Sequence, residues 1–172
     1  MSGLLPLVGR ARRFGDDVNT DNIIASRRKR ETIDPGVLRA YLFEDVDAGF
    51  AATVRPGDIL VAGSNFGCGS AMEVAVTVLL GAGIRAVVAS SFSRTYLRNA
   101  LNNGLLAICA DTRSIEEGDA IELAEGGGGD GALTLRCGQR VIACDPLPPF
   151  MQSMLEAGGL VPYLKTHGGF AA

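Results

Sequence analysis

The centre of the chain alternates short apolar runs with glycine-rich breaks, a pattern typical of buried strands and helices. Residues 58–62 and 84–89 are apolar and rich in β-branched side chains, as buried strands are. Residues 70–80 are apolar on nearly every side, which indicates a buried helix, and the glycines that follow supply its end. Strand, helix and strand in this order predict a parallel βαβ unit.

The same pattern continues towards the carboxyl terminus. A helix over 93–102, ended by Gly104, and a strand over 105–110 predict a second unit. The segments then become shorter and more often broken by glycine and proline. They predict a strand over 121–123, a flexible loop over 125–131, a hairpin over 133–143 and a last helix over 150–156.

The amino-terminal part is more polar. A short strand near Arg13 leads into a structured loop with the polar cluster Asn-Thr-Asp-Asn at 19–22. The basic run SRRKRET follows at 26–32, and an Asp-Pro pair predicts the start of a helix over 34–43.

The length and the composition fit one globular domain. We predict a single domain over 1–172, with a core over about 14–165 and a disordered tail over 166–172. Hydrophobic residues make up 47% and charged residues 20% of the chain, which is ordinary globular usage. The net charge of -3 argues against a nucleic-acid surface, which would be basic. No signal peptide or membrane span is visible, so we expect a cytoplasmic protein.

The sequence offers few metal ligands. Cys68, Cys109, Cys137 and Cys144 have irregular spacing without a CxxC pair, and His167 is the one histidine of the chain. Zinc and iron–sulfur sites take three or four clustered ligands. We therefore expect no metal or cofactor on this chain and assign any metal chemistry to a partner.

The glycine loop over 63–69 is the strongest candidate for chemistry. Between a strand and a helix, its N–H groups would suit a carboxylate or a phosphate, and Gly67 and Gly69 would let the main chain approach that ligand. Ser70 would present its hydroxyl to the same space. A capping box, in which Ser70 and Glu73 each bond to the other's backbone N–H group, explains the same residues without a ligand. Spacing alone leaves both interpretations open.

Four sequence blocks occur in one order along most of the chain: GDDVNTDNII, GSNFGCGS, VVASSFSRTYLRNALNNGLL and LPPFMQSMLEAGGLVPYLK. Together they resemble the landmarks of the isopropylmalate isomerase small-subunit family, whose domain is similar to the swivelling carboxyl-terminal domain of aconitase and homoaconitase. The resemblance implies an α/β fold, a three-layer β/β/α swivelling domain with central βαβ units and a hairpin near its end. It also implies closure over an active site held mainly by a large partner subunit, which carries a [4Fe-4S] cluster.

The activity that this resemblance implies is the removal and re-addition of water on a hydroxy di- or tricarboxylate, in amino-acid biosynthesis and that of leucine in particular. In the family, the serine after the glycine loop is the base that takes a proton from the carbon beside a carboxylate. That position is Ser70 here. Thr20 and Asp21 match a second active-site strip, with Asp21 as the orienting group, although a polar loop turn explains both equally well.

The sequence departs from the family beside that serine. Relatives usually read Gly-Ser-Ser-Arg-Glu, where the second serine and the arginine resemble ligands of a substrate carboxylate, whereas this chain has Ala71 and Met72. Losing an arginine removes a strong charge-assisted contact. The basic run lies where relatives carry a specificity loop, and it offers Arg28 and Arg30 to an additional carboxylate. A solvated loop, or one that contacts the large subunit, explains the same charges.

The favoured hypothesis is therefore the small subunit of a two-subunit hydro-lyase, inactive without its large subunit. The alternative is a non-catalytic anion-binding or regulatory module that kept the swivelling fold, because the serine–arginine pair is missing. RNA binding has only the basic run in its favour, so we expect neither a nucleic acid nor a membrane as a partner. Self-association of the isolated chain stays open.

Overall fold

The computed structural model describes residues 3–126 and 132–169, which form one curled sheet flanked by helices. The strands are β1 (Leu7–Arg13), β2 (Ile59–Ala62), β3 (Ala86–Ala89), β4 (Leu106–Cys109), β5 (Ala120–Glu125), β6 (Leu133–Cys137) and β7 (Arg140–Ala143). The α-helices of the described residues are α1 (Thr20–Ile23), α2 (Pro35–Leu38), α3 (Phe50–Thr53), α4 (Val74–Gly81), α5 (Arg94–Asn102), α6 (Pro149–Glu156) and α7 (Leu160–His167). Two 3-10 turns, Arg28–Arg30 and Arg39–Tyr41, lie between β1 and β2.

The parallel half of the sheet has the strand order β4-β3-β2-β1. Successive side chains of β2 point to opposite faces, so that Leu60 and Ala62 pack on the helix side while Ile59 and Val61 pack on the other side. Because both faces are covered, β2 and β3 are buried along their whole length. This double burial explains the continuous apolar runs of the sequence.

The antiparallel half, in the order β1-β5-β6-β7, folds back over the parallel half. One hydrophobic cluster joins Ile59 and Val61 of β2 to Leu123 of β5 and Leu135 of β6. A second cluster joins the other face of the parallel strands to α4 and α5. Helices, parallel strands and antiparallel strands thus form three layers. The predicted β/β/α fold, with its βαβ units and its hairpin, is confirmed.

Several elements start or end away from their predicted bounds. β1 begins at Leu7, ahead of the predicted core, because it pairs with both β2 and β5. Helix α4 begins at Val74, several residues after Ser70. The helix predicted over 34–43 is split into α2 and a 3-10 turn.

The carboxyl-terminal end contains a helix that the sequence pattern did not predict. α7 follows the glycine pair that ends α6 and continues through His167, into the predicted tail. The loop over 127–131 and the last residues, 170–172, lie outside the described residues, so flexibility there stays a prediction, as does the single-domain division. Within the described part of the chain, no helix combines the length and the apolar character needed to span a bilayer.

Candidate active-site loops

Three loops lie side by side where β1, β2 and β3 end, at the carboxyl edge of the parallel strands. We call them loop 1 (14–22), loop 2 (63–73) and loop 3 (90–93). Backbone hydrogen bonds join loops 1 and 2: Gly67 N–H donates to the Val18 carbonyl at 2.8 Å, and Thr20 N–H to the Cys68 carbonyl at 2.9 Å. This edge is the usual position of ligand sites in parallel α/β sheets.

Loop 3 holds loop 2 from the other side. Phe66 N–H donates to the Ser91 carbonyl at 3.0 Å, and Ser93 N–H donates to the Phe66 carbonyl at 2.9 Å. The Ser93 side chain also caps α5 by accepting from Tyr96 N–H. Loop 2 is therefore fixed by backbone bonds to both of its neighbours.

The two glycines chosen from the sequence are required by packing in this loop. Gly67 and Gly69 have φ of +77° and +93°, which side chains rarely adopt. A methyl group on Gly67 would overlap the ring of Tyr96, and one on Gly69 would overlap the side-chain amide of Asn19. A binding role of these glycines towards a substrate stays a prediction.

Ser70 lies exposed in loop 2, and the structure corrects both local interpretations of its surroundings. Helix α4 starts at Val74 with Glu73 as N-cap, and no side chain forms a capping bond there, so the proposed capping box does not form. The first helical N–H groups are also occupied, since Ala75 N–H donates to the Met72 carbonyl and Val76 N–H to the Glu73 carbonyl. The expected stabilisation of Ser70 by the dipole of a helix that starts at that residue is therefore wrong, since α4 starts at Val74.

Thr20 holds the Ser70 segment in place. Its side chain is 2% exposed, and its hydroxyl donates to the Ser70 carbonyl at 2.9 Å. A buried hydroxyl with this bond is a poor substrate ligand but an effective support. The structure thus brings together the two strips that the sequence indicated and gives Thr20 a positioning contact with the other strip.

Met72 links loop 2 to the basic run. The buried Met72 has its Sδ 3.6 Å from Ser26 Oγ and 3.5 Å from Lys29 Nζ. Ser26 donates its N–H to Asp21 Oδ1 at 2.9 Å, and its hydroxyl contacts the same oxygen. Asp21 therefore orients Ser26. Asp21, Ser26, Lys29 and Met72 together are called the Met72 cluster below.

Arg28, chosen from the sequence as a substrate ligand, is engaged within the chain. Its Nε and Nη2 donate to the two carboxylate oxygens of Glu44 at 2.9 and 2.8 Å, and its guanidinium lies 3.7 Å from the ring centre of Tyr41. The hydrogen bond from Arg28 lowers the pKa of Glu44. Arg27 pairs with Glu44 and Asp45. Arg28 thus has partners within the chain, and a role of Arg28 towards a substrate, like that of the exposed Arg30, stays a prediction.

The described residues do not bring together three or more His, Cys, Asp or Glu side chains that could hold a metal ion. Burial raises the pKa of the Cys109 and Cys144 thiols, the latter to about 11. An iron–sulfur cluster takes several clustered cysteine ligands, and the described residues do not bring such a group together.

A curled β/β/α domain with three hydrogen-bonded loops at one edge of its parallel strands defines the swivelling-domain class. The sequence profile of the aconitase C-terminal domain matches residues 18–113, which contain most of these loops. The chain belongs to this family.

Three relatives cover nearly the whole chain. The 3-isopropylmalate dehydratase small subunit 2 of Archaeoglobus fulgidus is 43% identical over 95% of this chain and 98% of its own. The methanogen homoaconitase small subunit of Methanocaldococcus jannaschii is 42% identical over 91% of this chain and 90% of its own. The crystal structure of 3-isopropylmalate dehydratase from M. jannaschii matches with a TM-score of 0.86 at 40% identity, over 95% of this chain and 96% of that one. The predicted small-subunit family is confirmed.

Sequence reasoning missed two contacts of the Met72 cluster. Ser26 and Lys29 belong to the basic run, but the pattern of charges gave no reason to prefer Lys29 to its arginine neighbours. The only sequence signal for these contacts was the apolar residue at position 72, against which a side chain from another loop can pack.

Proposed function

We propose that this chain is the small subunit of a two-subunit hydro-lyase of the 3-isopropylmalate dehydratase and homoaconitase type. Its substrate class is a hydroxy di- or tricarboxylate, its site of action the cytoplasm, and its partner the large subunit. The [4Fe-4S] cluster that the resemblance implies belongs on that large subunit, where it would act as a Lewis acid. The observation that carries the proposal is an identity of 43% that extends over 95% of the chain.

Ser70 is the base in this proposal. In its alkoxide form, the side-chain oxygen takes a proton from the carbon beside a substrate carboxylate and becomes the hydroxyl, and it returns that proton to the carbon in the reverse direction. Three features of the chain support this role: Ser70 is exposed, its carbonyl is held by Thr20, and the loop that carries it is bonded to both neighbours. Such fixed placement is what proximity catalysis needs.

The test is reconstitution with a large subunit and an assay of dehydration on isopropylmalate-like and citrate-like acids. The Ser70→Ala variant should lower kcat by about 10²- to 10⁴-fold, because a general base contributes on that order. Ser64→Ala is the matched control, since Ser64 is an exposed serine in the same loop. Full activity of Ser70→Ala would show that another group is the base.

A second candidate function follows from Ala71 and Met72. Neither side chain can form the hydrogen bonds of a serine–arginine pair, so a non-catalytic anion-binding or regulatory module is the alternative. The same reconstitution separates the two, because a regulatory module would change the large subunit's affinity for an anion without producing any turnover.

A further inference from the structure

Lys29 has a different kind of partner from the two arginines that precede it. Arg27 and Arg28 are paired with Glu44 and Asp45. Among the described residues, Lys29 has no carboxylate partner, and its Nζ lies 3.5 Å from the Met72 sulfur. A thioether is only a weak acceptor, so the positive charge of Lys29 stays available.

The position of this charge is set by loop 2. Met72 is buried, and it follows Ser70 by two positions. The Ser70 carbonyl is itself fixed by the hydroxyl of buried Thr20 at 2.9 Å. Lys29 thus places an ammonium group against the segment that carries the exposed Ser70 hydroxyl. The contact joins Lys29 Nζ itself to the Met72 sulfur, while Lys29 as a whole is exposed.

The chemistry of the proposed reaction calls for such a charge. When a base removes a proton from the carbon beside a carboxylate, negative charge builds up on that carboxylate. A cation held close to it stabilises the transition state. The two residues that follow Ser70 in loop 2, Ala71 and Met72, carry no charge.

We propose that Lys29 binds the substrate carboxylate nearest to the carbon from which Ser70 takes its proton. This inference rests on the proposed function. It makes Lys29 a substrate-binding residue that depends on the apolar residue at 72, and it assigns Arg27 and Arg28 to holding the fold of the basic run.

The first test is kinetic and uses the complex with the large subunit. Lys29→Met removes the charge and keeps an apolar stem, and kcat/KM should fall by about 10- to 100-fold, the size expected for one charge-assisted hydrogen bond. Lys29→Arg keeps the charge and should restore part of that loss. Lys165→Met is the matched control because it makes the same substitution at an exposed lysine of α7, and its kcat/KM should stay within about twofold of the wild type.

The second test uses amine labelling and needs no turnover. Lys29 and Lys165 are the two lysines of this chain, and Lys165 lies exposed in α7, so it is an internal reference. The complex is acetylated with and without malate, a 2-hydroxy dicarboxylate, and both sites are quantified by mass spectrometry. With malate at ten times its Kd, labelling of Lys29 should slow by about tenfold while that of Lys165 is unchanged.

The two tests separate this inference from the proposed function. Protection of Lys29 in a complex without dehydratase activity would support the carboxylate site and overturn the hydro-lyase. An active complex in which Lys29→Met keeps wild-type kcat/KM and malate leaves Lys29 labelling unchanged would overturn the role of Lys29 alone. Equal losses in Lys29→Met and Lys165→Met would also overturn it, since the effect would then come from the change in net charge and not from a contact of Lys29.

Discussion

At the scale of single residues, Thr20 connects the two loops on which the proposed chemistry depends. It is buried, and its hydroxyl reaches the Ser70 carbonyl across a separation of 50 residues in sequence. A short polar residue at a loop junction is commonly interpreted as a turn former. In this fold its hydroxyl instead fixes the backbone of another loop.

We expect Thr20→Val to weaken this connection with little change in volume. The free energy of unfolding should fall by about 1 kcal/mol for the lost hydrogen bond, and kcat of the reconstituted pair should fall with KM nearly unchanged, because Ser70 is less well placed. Urea unfolding and steady-state kinetics measure the two effects. Thr20→Ser keeps the hydroxyl and is the control; a loss of kcat as large as that of Thr20→Val would contradict the positioning role.

Tyr96, in α5, packs against loop 2 and carries a buried hydroxyl. Its ring packs edge-to-face on Phe66 at 5.1 Å, and among the described side chains its hydroxyl has no hydrogen-bond partner. Burial raises the pKa of this phenol far above its ordinary value. The cost of an unpaired buried hydroxyl is about 1–3 kcal/mol.

Tyr96→Phe should therefore stabilise the protein by up to about 1–3 kcal/mol, because it removes the unpaired group and keeps the ring. Thermal unfolding is the measurement. Tyr41→Phe is the comparison, since Tyr41 is only half-buried, and it should change stability by less than about 0.5 kcal/mol. A destabilised Tyr96→Phe would show that the hydroxyl has a partner in solution.

At the scale of elements, loop 2 depends on Gly67, which meets a backbone requirement and a packing requirement at the same position. Gly67 adopts φ +77° and also lies against the ring of Tyr96, the first long side chain of α5 to reach the core. The left-handed backbone and the close approach are separate requirements, and each excludes a side chain.

Two glycines with similar backbones allow the two requirements to be separated. Gly118 has φ +86° with open space around it, so Gly118→Ala should cost only the backbone strain of about 1–2 kcal/mol. Gly67→Ala adds the overlap with Tyr96 and should cost a further 1–3 kcal/mol or so. Urea midpoints at constant m-value give both numbers. Equal costs would mean that Tyr96 moves aside freely.

At the scale of the whole molecule, a buried ion network joins the two halves of the sheet. The Asp58 carboxylate is 4% exposed and accepts from Arg10 Nη2 at 2.7 Å and from Arg12 Nη1 at 3.4 Å. Arg12 also pairs with Glu117 at 2.9 Å, which ties β1 to the turn before β5. Burial on its own raises the pKa of Asp58, but the hydrogen bonds from Arg10 and from Arg55 N–H outweigh it, so the pKa is lowered overall.

This lowered pKa predicts a defined acid sensitivity. A carboxyl group with a folded-state pKa below its unfolded value of about 3.9 stabilises the fold above that value, and its contribution is lost as the pH falls through the folded-state pKa. Asp58→Asn should cost about 1.5–3 kcal/mol at pH 7, because it removes the charge from the hydrogen bonds with Arg10 and Arg12 while Arg12 keeps Glu117, and should flatten the dependence of stability on pH below 4.

Unfolding midpoints between pH 7 and pH 3 measure this prediction. Asp145→Asn is the control, since Asp145 is exposed and takes part in none of the ion pairs of the described residues. If the two variants show the same pH profile, the buried network is not the source of the acid sensitivity.

Much of the fold could be predicted because its signals are local. The parallel strands β2 and β3 are buried on both faces, so their sequences are apolar throughout, and the glycines that end α4 and α5 mark the turns between them. The start of α4 could not be predicted, because Ser70 and Glu73 have the spacing of a capping box, whereas Thr20 holds the Ser70 backbone in loop 2 and the helix begins only at Val74.

By itself, the sequence determined the βαβ units through apolar periodicity, which is a property of neighbouring residues. The order of its four blocks gave the family resemblance, and that resemblance implied the layer architecture and the two polar strips. Only the tertiary structure decided which charged side chains form ion pairs within the described residues. Arg28 finds Glu44 sixteen positions away, and Lys29 finds Met72 across 43 positions. The packing of loops that are distant in the sequence determines such partners. A run of like charges in the sequence does not indicate how those loops pack.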